Sequence, residues 1–109
     1  MVKIEEGVRA IAYVITSAYA MITAEVPVYN DTDKPVQFSV YNAVMDPEGQ
    51  CLTTTETLYR LGAGERCMIT DELLRIRDPR GELEGYSITC TLSVNGERCD
   101  RKSVKIDVL

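Results

Sequence analysis

The sequence has no histidine, no tryptophan, a single phenylalanine and four prolines among 109 residues. Without histidine there is no Ser-His-Asp or Cys-His catalysis and no histidine-based zinc site. The commonest general base near neutral pH is also absent. Without tryptophan there is no indole platform for a sugar ring, and no spacing of carboxylates singles out a glycosidase pair. Gly62-Ala63-Gly64 lacks the Gly-Lys-Ser/Thr that would follow in a nucleotide loop and the context of a dinucleotide fold, so it reads as a turn.

A long run of charge of one sign is also missing. Twelve basic and 17 acidic residues are interspersed, for a net charge of -5. The densest basic group, Arg98, Arg101, Lys102 and Lys105, has Glu97, Asp100 and Asp107 among it, which excludes a nucleic-acid stripe. The longest uncharged run, Ala10 to Ala24, is shorter than the roughly 20 residues of a membrane-spanning helix. Lys3, Arg9 and Ala18-Tyr19-Ala20 resemble parts of a signal peptide. However, Glu5 and Glu6 spoil its basic leader, and Ser17, Tyr19 and Thr23 dilute its apolar stretch. The segment is therefore read as part of the domain, and the compartment, cytoplasmic or extracellular, stays open.

What is present is strand grammar. From Tyr86 to Val94 every even residue is apolar and every odd one is Ser or Thr, the period-two pattern of a strand with one buried face. Asn95-Gly96 follows, a dipeptide suited to a tight hairpin turn. The return strand has Val104, Ile106 and Val108 inward. A two-residue loop carried on without a break would set buried Ile88 against Ser103 and buried Tyr86 against Lys105. Facing residues share one side of a sheet, so that register mismatches the buried sets. One extra residue near Cys99–Arg101 restores Val104 opposite Ile88 and Ile106 opposite Tyr86. The sequence thus predicts either a β-bulge there or a three-residue loop, Asn95–Glu97.

The same pattern recurs upstream. Val26 and Val28 point inward, Tyr29 to Pro35 connects, and Val36, Phe38 and Val40 continue on even positions. Asp46-Pro47-Glu48-Gly49 is a turn, with proline second and glycine fourth. Cys51–Leu61 reads as a threonine-rich strand, Cys67–Thr70 and Leu73–Arg77 as two short ones, the last closed by Asp78-Pro79-Arg80-Gly81. Residues 7–24 are ambiguous: Val8, Ile11, Ala12, Ile15 and Tyr19 would share a helical face, whereas the Tyr, Val, Ile and Thr content favours strand. Strand is preferred, because two sheets need it. Residues 1–109 are expected to form a single domain, all-β, an antiparallel sandwich of about seven strands.

Val26-Pro27-Val28-Tyr29-Asn30, the Lys34-Pro35 spacer, Val36 to Val40, and Leu61-Gly62-Ala63-Gly64-Glu65 carry a resemblance, together with the Tyr86–Val94 strand and its partner. Over residues 24–109 the chain resembles small immunoglobulin-like β-sandwich domains of the cell-adhesion-related bacterial and archaeal type. The resemblance implies that the antiparallel sandwich is immunoglobulin-like, with an accessory, adhesive or assembly role rather than catalysis.

Four cysteines, Cys51, Cys67, Cys90 and Cys99, have no Cys-x-x-Cys spacing, so no zinc ribbon is read. They are either reduced structural thiols or form at least one disulfide, Cys90 with Cys99 across the hairpin, with Cys51 and Cys67 as its counterpart. Cys67 beside Arg66 gives the only hint of an activated thiol. Acidic residues gather in Asp31 and Asp33, Asp46 and Glu48, Asp71 and Glu72, and Asp78, without the order of a dedicated calcium loop. No catalytic residue, metal or cofactor is assigned. Tyr29, Tyr41, Met45 and Tyr59 are candidate interface residues, since tyrosine buries area while keeping its hydroxyl satisfied. Tyr41, Ala43 and Met45 make either an exposed apolar patch or a face covered by the N-terminal segment. The expected function is a non-catalytic module that binds a protein partner or itself. The alternatives are a protease inhibitor presenting Gly62–Glu65 or Asp78–Glu82, and a hydrolase with a carboxylate site.

Overall fold

In the computed structural model, which describes residues 1–16, 19–77 and 84–109, nine strands build two sheets. They are β1 (Val2–Ile4), β2 (Arg9–Thr16), β3 (Tyr19–Asn30), β4 (Val36–Met45), β5 (Cys51–Leu61), β6 (Arg66–Arg77), β7 (Ser87–Val94), β8 (Glu97–Lys105) and β9 (Asp107–Val108). The fold is an all-β, mostly antiparallel, immunoglobulin-like sandwich. It has two strands more than expected, because β1 and β9 are too short to carry an alternation signal.

The strand reading of residues 7–24 holds where they are described. Ala20, Ile22, Ala24, Val26 and Val28 are all buried on one side of β3, and Met21, Thr23, Glu25, Pro27 and Tyr29 alternate with them on the other. A helix would scatter those even positions round its circumference. β6 pairs with one edge of β3; β2 and β1 share the other edge in succession, and β9 adds to β2 in parallel. The second sheet runs β5-β4-β7-β8.

The inner faces meet through Ile22, Val26, Val28 and Leu73 from the first sheet and Phe38, Val40, Val44, Ile88 and Leu92 from the second. Each of these side chains contributes roughly 1.5–3 kcal/mol by leaving water. Asn30, itself fully buried, fastens one end of the sandwich. Its Nδ2 donates to the carbonyls of Lys34 (2.8 Å) and Gly62 (3.0 Å), and its Oδ1 accepts from the Thr32 hydroxyl at 2.7 Å. A buried amide is stable there because its donors and acceptor are satisfied.

The β7–β8 hairpin resolves the predicted choice. Val94 faces Glu97 across a two-residue Asn95-Gly96 turn, Ser93 faces Arg98, and Leu92 faces Asp100, so Cys99 is the extra residue of a bulge. Ile88 then faces Val104, and the Ile106 amide donates to the Tyr86 carbonyl at 3.0 Å. The bulge also turns Asp100 towards β1, where its Oδ2 accepts the Ile4 amide at 2.7 Å.

Two readings are corrected. Cys67–Thr70 and Leu73–Arg77 are not separate strands. Asp71 and Glu72 continue β6 opposite Ala24 and Thr23, because the Asp71 side chain finds polar partners inside the sandwich. Val108 is 45% exposed rather than inward, since the chain breaks at Ile106 and crosses to the other sheet, where Val108 pairs with Ala12. The proposed turn at residues 78–81 lies outside the described residues.

Candidate functional site

The register of β4 with its neighbours decides which side chains reach solvent. Phe38, Val40, Asn42 and Val44 face inward; Gln37, Ser39, Tyr41, Ala43 and Met45 face out. Across β5, Ser39 meets Leu58 and Tyr41 meets Glu56; across β7, Tyr41 meets Thr91 and Ser39 meets Ser93. This outer face contains a shallow concavity of about 560 Å³ lined by Gln37, Tyr41, Glu56, Leu58, Thr91 and Asn95, among others. Tyr41 is 37% exposed and Leu58 66% exposed.

The sequence found Tyr41 but missed Glu56, Leu58 and Thr91. Their signal lay in the strand pairing, which brings even positions of β5 beside odd positions of β4. The N-terminal segment does not cover this face, because Val2 and Ile4 are buried on the inner side of the opposite sheet. Ala43 is itself buried and Met45 half-buried, so the apolar patch narrows to Tyr41 with Leu58.

The four interface candidates do not converge. Tyr41 and Met45 share the face just described, whereas Tyr29 stands on the outer face of the other sheet. Its ring lies under the Arg66 guanidinium, 3.8 Å from the ring centroid, and the Lys3 ammonium at 5.3 Å. Arg66 in turn donates to Glu5 Oε1 at 3.0 Å. Tyr59 points inward instead. Its ring stacks on Phe38 with centroids 6.1 Å apart, and its hydroxyl lies 3.5 Å from Asp71 Oδ1. Burial, followed by the Asp71 charge, raises the Tyr59 pKa. Tyr59 is therefore a core residue with a polar tip.

Asp71 gathers a polar cluster between the sheets. Asn42 Nδ2 donates to its Oδ2 at 2.9 Å and the Thr55 hydroxyl approaches at 3.5 Å, while Asn42 Oδ1 is buried without a protein partner. Cys90, opposite Asn42, is fully buried, and burial together with the Asp71 charge pushes its thiol up to about 11.

All four cysteines are free, and neither disulfide considered above is formed. Cys51 pairs with Met45 at one end of β5, whereas Cys67 lies on β6 just after the turn at the other end, about 30 Å along the strand. Cys99 sits in the bulge, its Sγ 3.4 Å from the Leu92 carbonyl. Burial raises the Cys67 and Cys99 thiols, with Glu65 and Asp100 adding to it. Arg66 and Cys67 point to opposite sides of β6, so the thiol gains no activating cation. Such thiols are poor nucleophiles near neutral pH.

Among the described residues Glu56 is the single carboxylate lining the concavity. Among the described residues no three His, Cys, Asp or Glu side chains come together as a metal site. Gly62–Glu65 is a tight turn rather than an extended loop. Its Gly62 amide donates to Glu65 Oε1 at 2.6 Å and its Glu65 amide to the Gly62 carbonyl at 3.2 Å. Asp78–Glu82 lies outside the described residues. Among the described residues no helix is long and apolar enough to cross a membrane.

No protein-family model and no curated protein sequence matches the chain. Solved structures do. A β-glucuronidase from glycoside hydrolase family 2 superimposes with a TM-score of 0.87 at 15% identity, over 98% of this chain and 12% of that one. A Bacteroides uniformis β-glucuronidase gives 0.83 at 19% identity, over 94% of this chain and 14% of that one. The Amycolatopsis orientalis exo-chitosanase CsxA gives 0.70 at 23% identity, over 94% and 12%. At such identities the likeness is one of fold, and the chain spans only about an eighth of the length of these proteins. What it shares with them is one small immunoglobulin-like β-sandwich.

Proposed function

We propose that this β-sandwich is a non-catalytic binding or assembly module, used as an accessory domain of a larger glycoside-hydrolase-like protein. One observation carries the reading: the likeness covers nearly all of this chain but 12–14% of the β-glucuronidases. The lining of the concavity agrees with it. Hydrolysis of a glycosidic bond takes two carboxyl groups flanking the bond, and among the described residues Glu56 has no second carboxylate beside it there. The hydroxyls and amides of Ser39, Tyr41, Thr91 and Asn95 suit contact with a polar partner surface. The adhesive role implied by the family resemblance would be another non-catalytic use of the same module.

The test is turnover. The purified chain, incubated with aryl β-glucuronide, β-galactoside and β-glucosaminide, is expected to release no aryl alcohol above the buffer rate. Release that disappears in Glu56→Gln would overturn the reading.

A further inference from the structure

The end strand β5 closes the four-stranded sheet, and among the described residues nothing pairs with its outer edge. Such an edge offers a row of unpaired amides and carbonyls, which proteins blunt with charges, prolines or bulges. The opposite edge strand, β8, is blunted in this way: its nine residues ERCDRKSVK contain six charges and the Cys99 bulge. β6, at the edge of the other sheet, carries a register irregularity and five charges. By contrast β5, CLTTTETLYRL, has no proline or glycine and only two charges, Glu56 and Arg60. Its pairing with β4 is regular from Val36–Leu61 to Val44–Thr53, and its one register shift, at Leu52, lies at the end of the strand, away from Glu56, Leu58 and Arg60.

We infer that the outer edge of β5 pairs antiparallel with the same edge of a second copy of the chain, about a two-fold axis through Leu58. This inference rests on the assembly reading above and names the partner. The charges select the register. With Leu58 opposite the partner's Leu58, Glu56 stands opposite the partner's Arg60 and Arg60 opposite the partner's Glu56. All of these are even positions on the outward face, so the faces of the two sheets match. Sliding by one two-residue step in either direction leaves all these charges unpaired. Centring the axis on Glu56 or on Arg60 sets like charges together. Leu58, 66% exposed in the single chain, gains an apolar neighbour across the axis. The result is one continuous eight-stranded sheet with both concavities on the same face.

Sedimentation of the intact chain from low to high micromolar concentration tests this, with charge variants. The wild type is expected to dimerise. Glu56→Lys alone sets Lys beside Arg, and Arg60→Glu alone sets Glu beside Glu; each is expected to weaken the dimer by about tenfold or more. The exchange variant Glu56→Lys/Arg60→Glu restores opposite pairs and is expected to restore dimerisation. The two single variants mixed together should form a heterodimer for the same reason. All four positions in the pairs are exposed, and unchanged far-ultraviolet circular dichroism will confirm that each variant folds. A wild type that stays monomeric, or a dimer indifferent to the single reversals or not restored by the exchange, would overturn the inference. Any of these results leaves the non-catalytic reading standing, since that reading fails only on glycoside turnover.

Discussion

Cys90 links an alternation in the sequence to a titration in the core. It is the even-numbered small side chain of Ile88-Thr89-Cys90-Thr91-Leu92, and the period-two pattern alone puts it inside. Its thiol, ordinarily at 9.0, is raised to about 11 by burial first and the Asp71 charge second. The folded chain therefore holds this proton more tightly than the unfolded chain. The associated stability is fully present below about pH 9 and is lost as pH rises towards 11, up to about 3 kcal/mol. Cys90→Ala is expected to be less stable than wild type near neutral pH but to lose less on going to high pH. Urea midpoints of both proteins at about pH 8 and about pH 10.5 check this, because other alkaline titrations, Tyr59 included, are common to both. Parallel losses in the two proteins would show that ionisation of Cys90 does not oppose the fold. The inward position of Cys90 was legible in the sequence. The neighbouring Asp71 was not, since an aspartate beside a glutamate reads as loop until strand pairing aims it at Asn42.

At the scale of elements, the hairpin was the most legible part of the chain. Its two buried sets can be matched only with one extra residue, and Cys99 supplies it. The turn geometry follows from the same sequence: Asn95 has φ 52° and Gly96 φ 80°, both positive as a two-residue hairpin turn requires. A Cβ added at Gly96 would meet nothing within 4 Å, so any cost of Gly96→Ala is backbone strain alone. Gly96→Ala is expected to lower stability by about 1–2 kcal/mol at unchanged m-value. A neutral result in urea unfolding would mean that the turn relaxes to another type. The less legible elements failed for two reasons. β1 and β9, three and two residues long, are shorter than any alternation that sequence can register. β6 reads in the sequence as two strands because two acidic residues interrupt its apolar positions, although one of them, Asp71, faces inward. The outer face, with Leu58 and Glu56 beside Tyr41, needed the register of three strands at once. Single-strand patterns hold no such information.

At the scale of the whole molecule, the question is what fixes one sheet on the other, given that apolar contacts are non-directional. Asp71, on β6 of the first sheet, receives the Asn42 amide from β4 and reaches Thr55 and Tyr59 on β5 of the second. It is a polar link between the sheets away from the ends that Asn30 and Asp100 fasten, set among side chains that would tolerate small slides. Removing Asp71 strands the fully buried Asn42 amide, which costs more than the bond itself contributes, and removing Asn42 takes from the half-buried Asp71 its shortest partner. Asp71→Ala and Asn42→Ala are each expected to cost about 2–3 kcal/mol, and the double variant less than their sum by about 1–2 kcal/mol. Urea unfolding of the four proteins in the cycle measures that difference. A coupling near zero would mean that Thr55 and Tyr59 alone hold Asp71, and that shape complementarity around Phe38 and Leu73 sets the orientation of the sheets. A coupling of the expected size, with lower m-values in the single variants, would identify this pair as the lock between the sheets. The same measurement bears on the outer face, because Asn42 and Tyr41 are neighbours on β4: what holds one against the core sets the position of the other in the concavity.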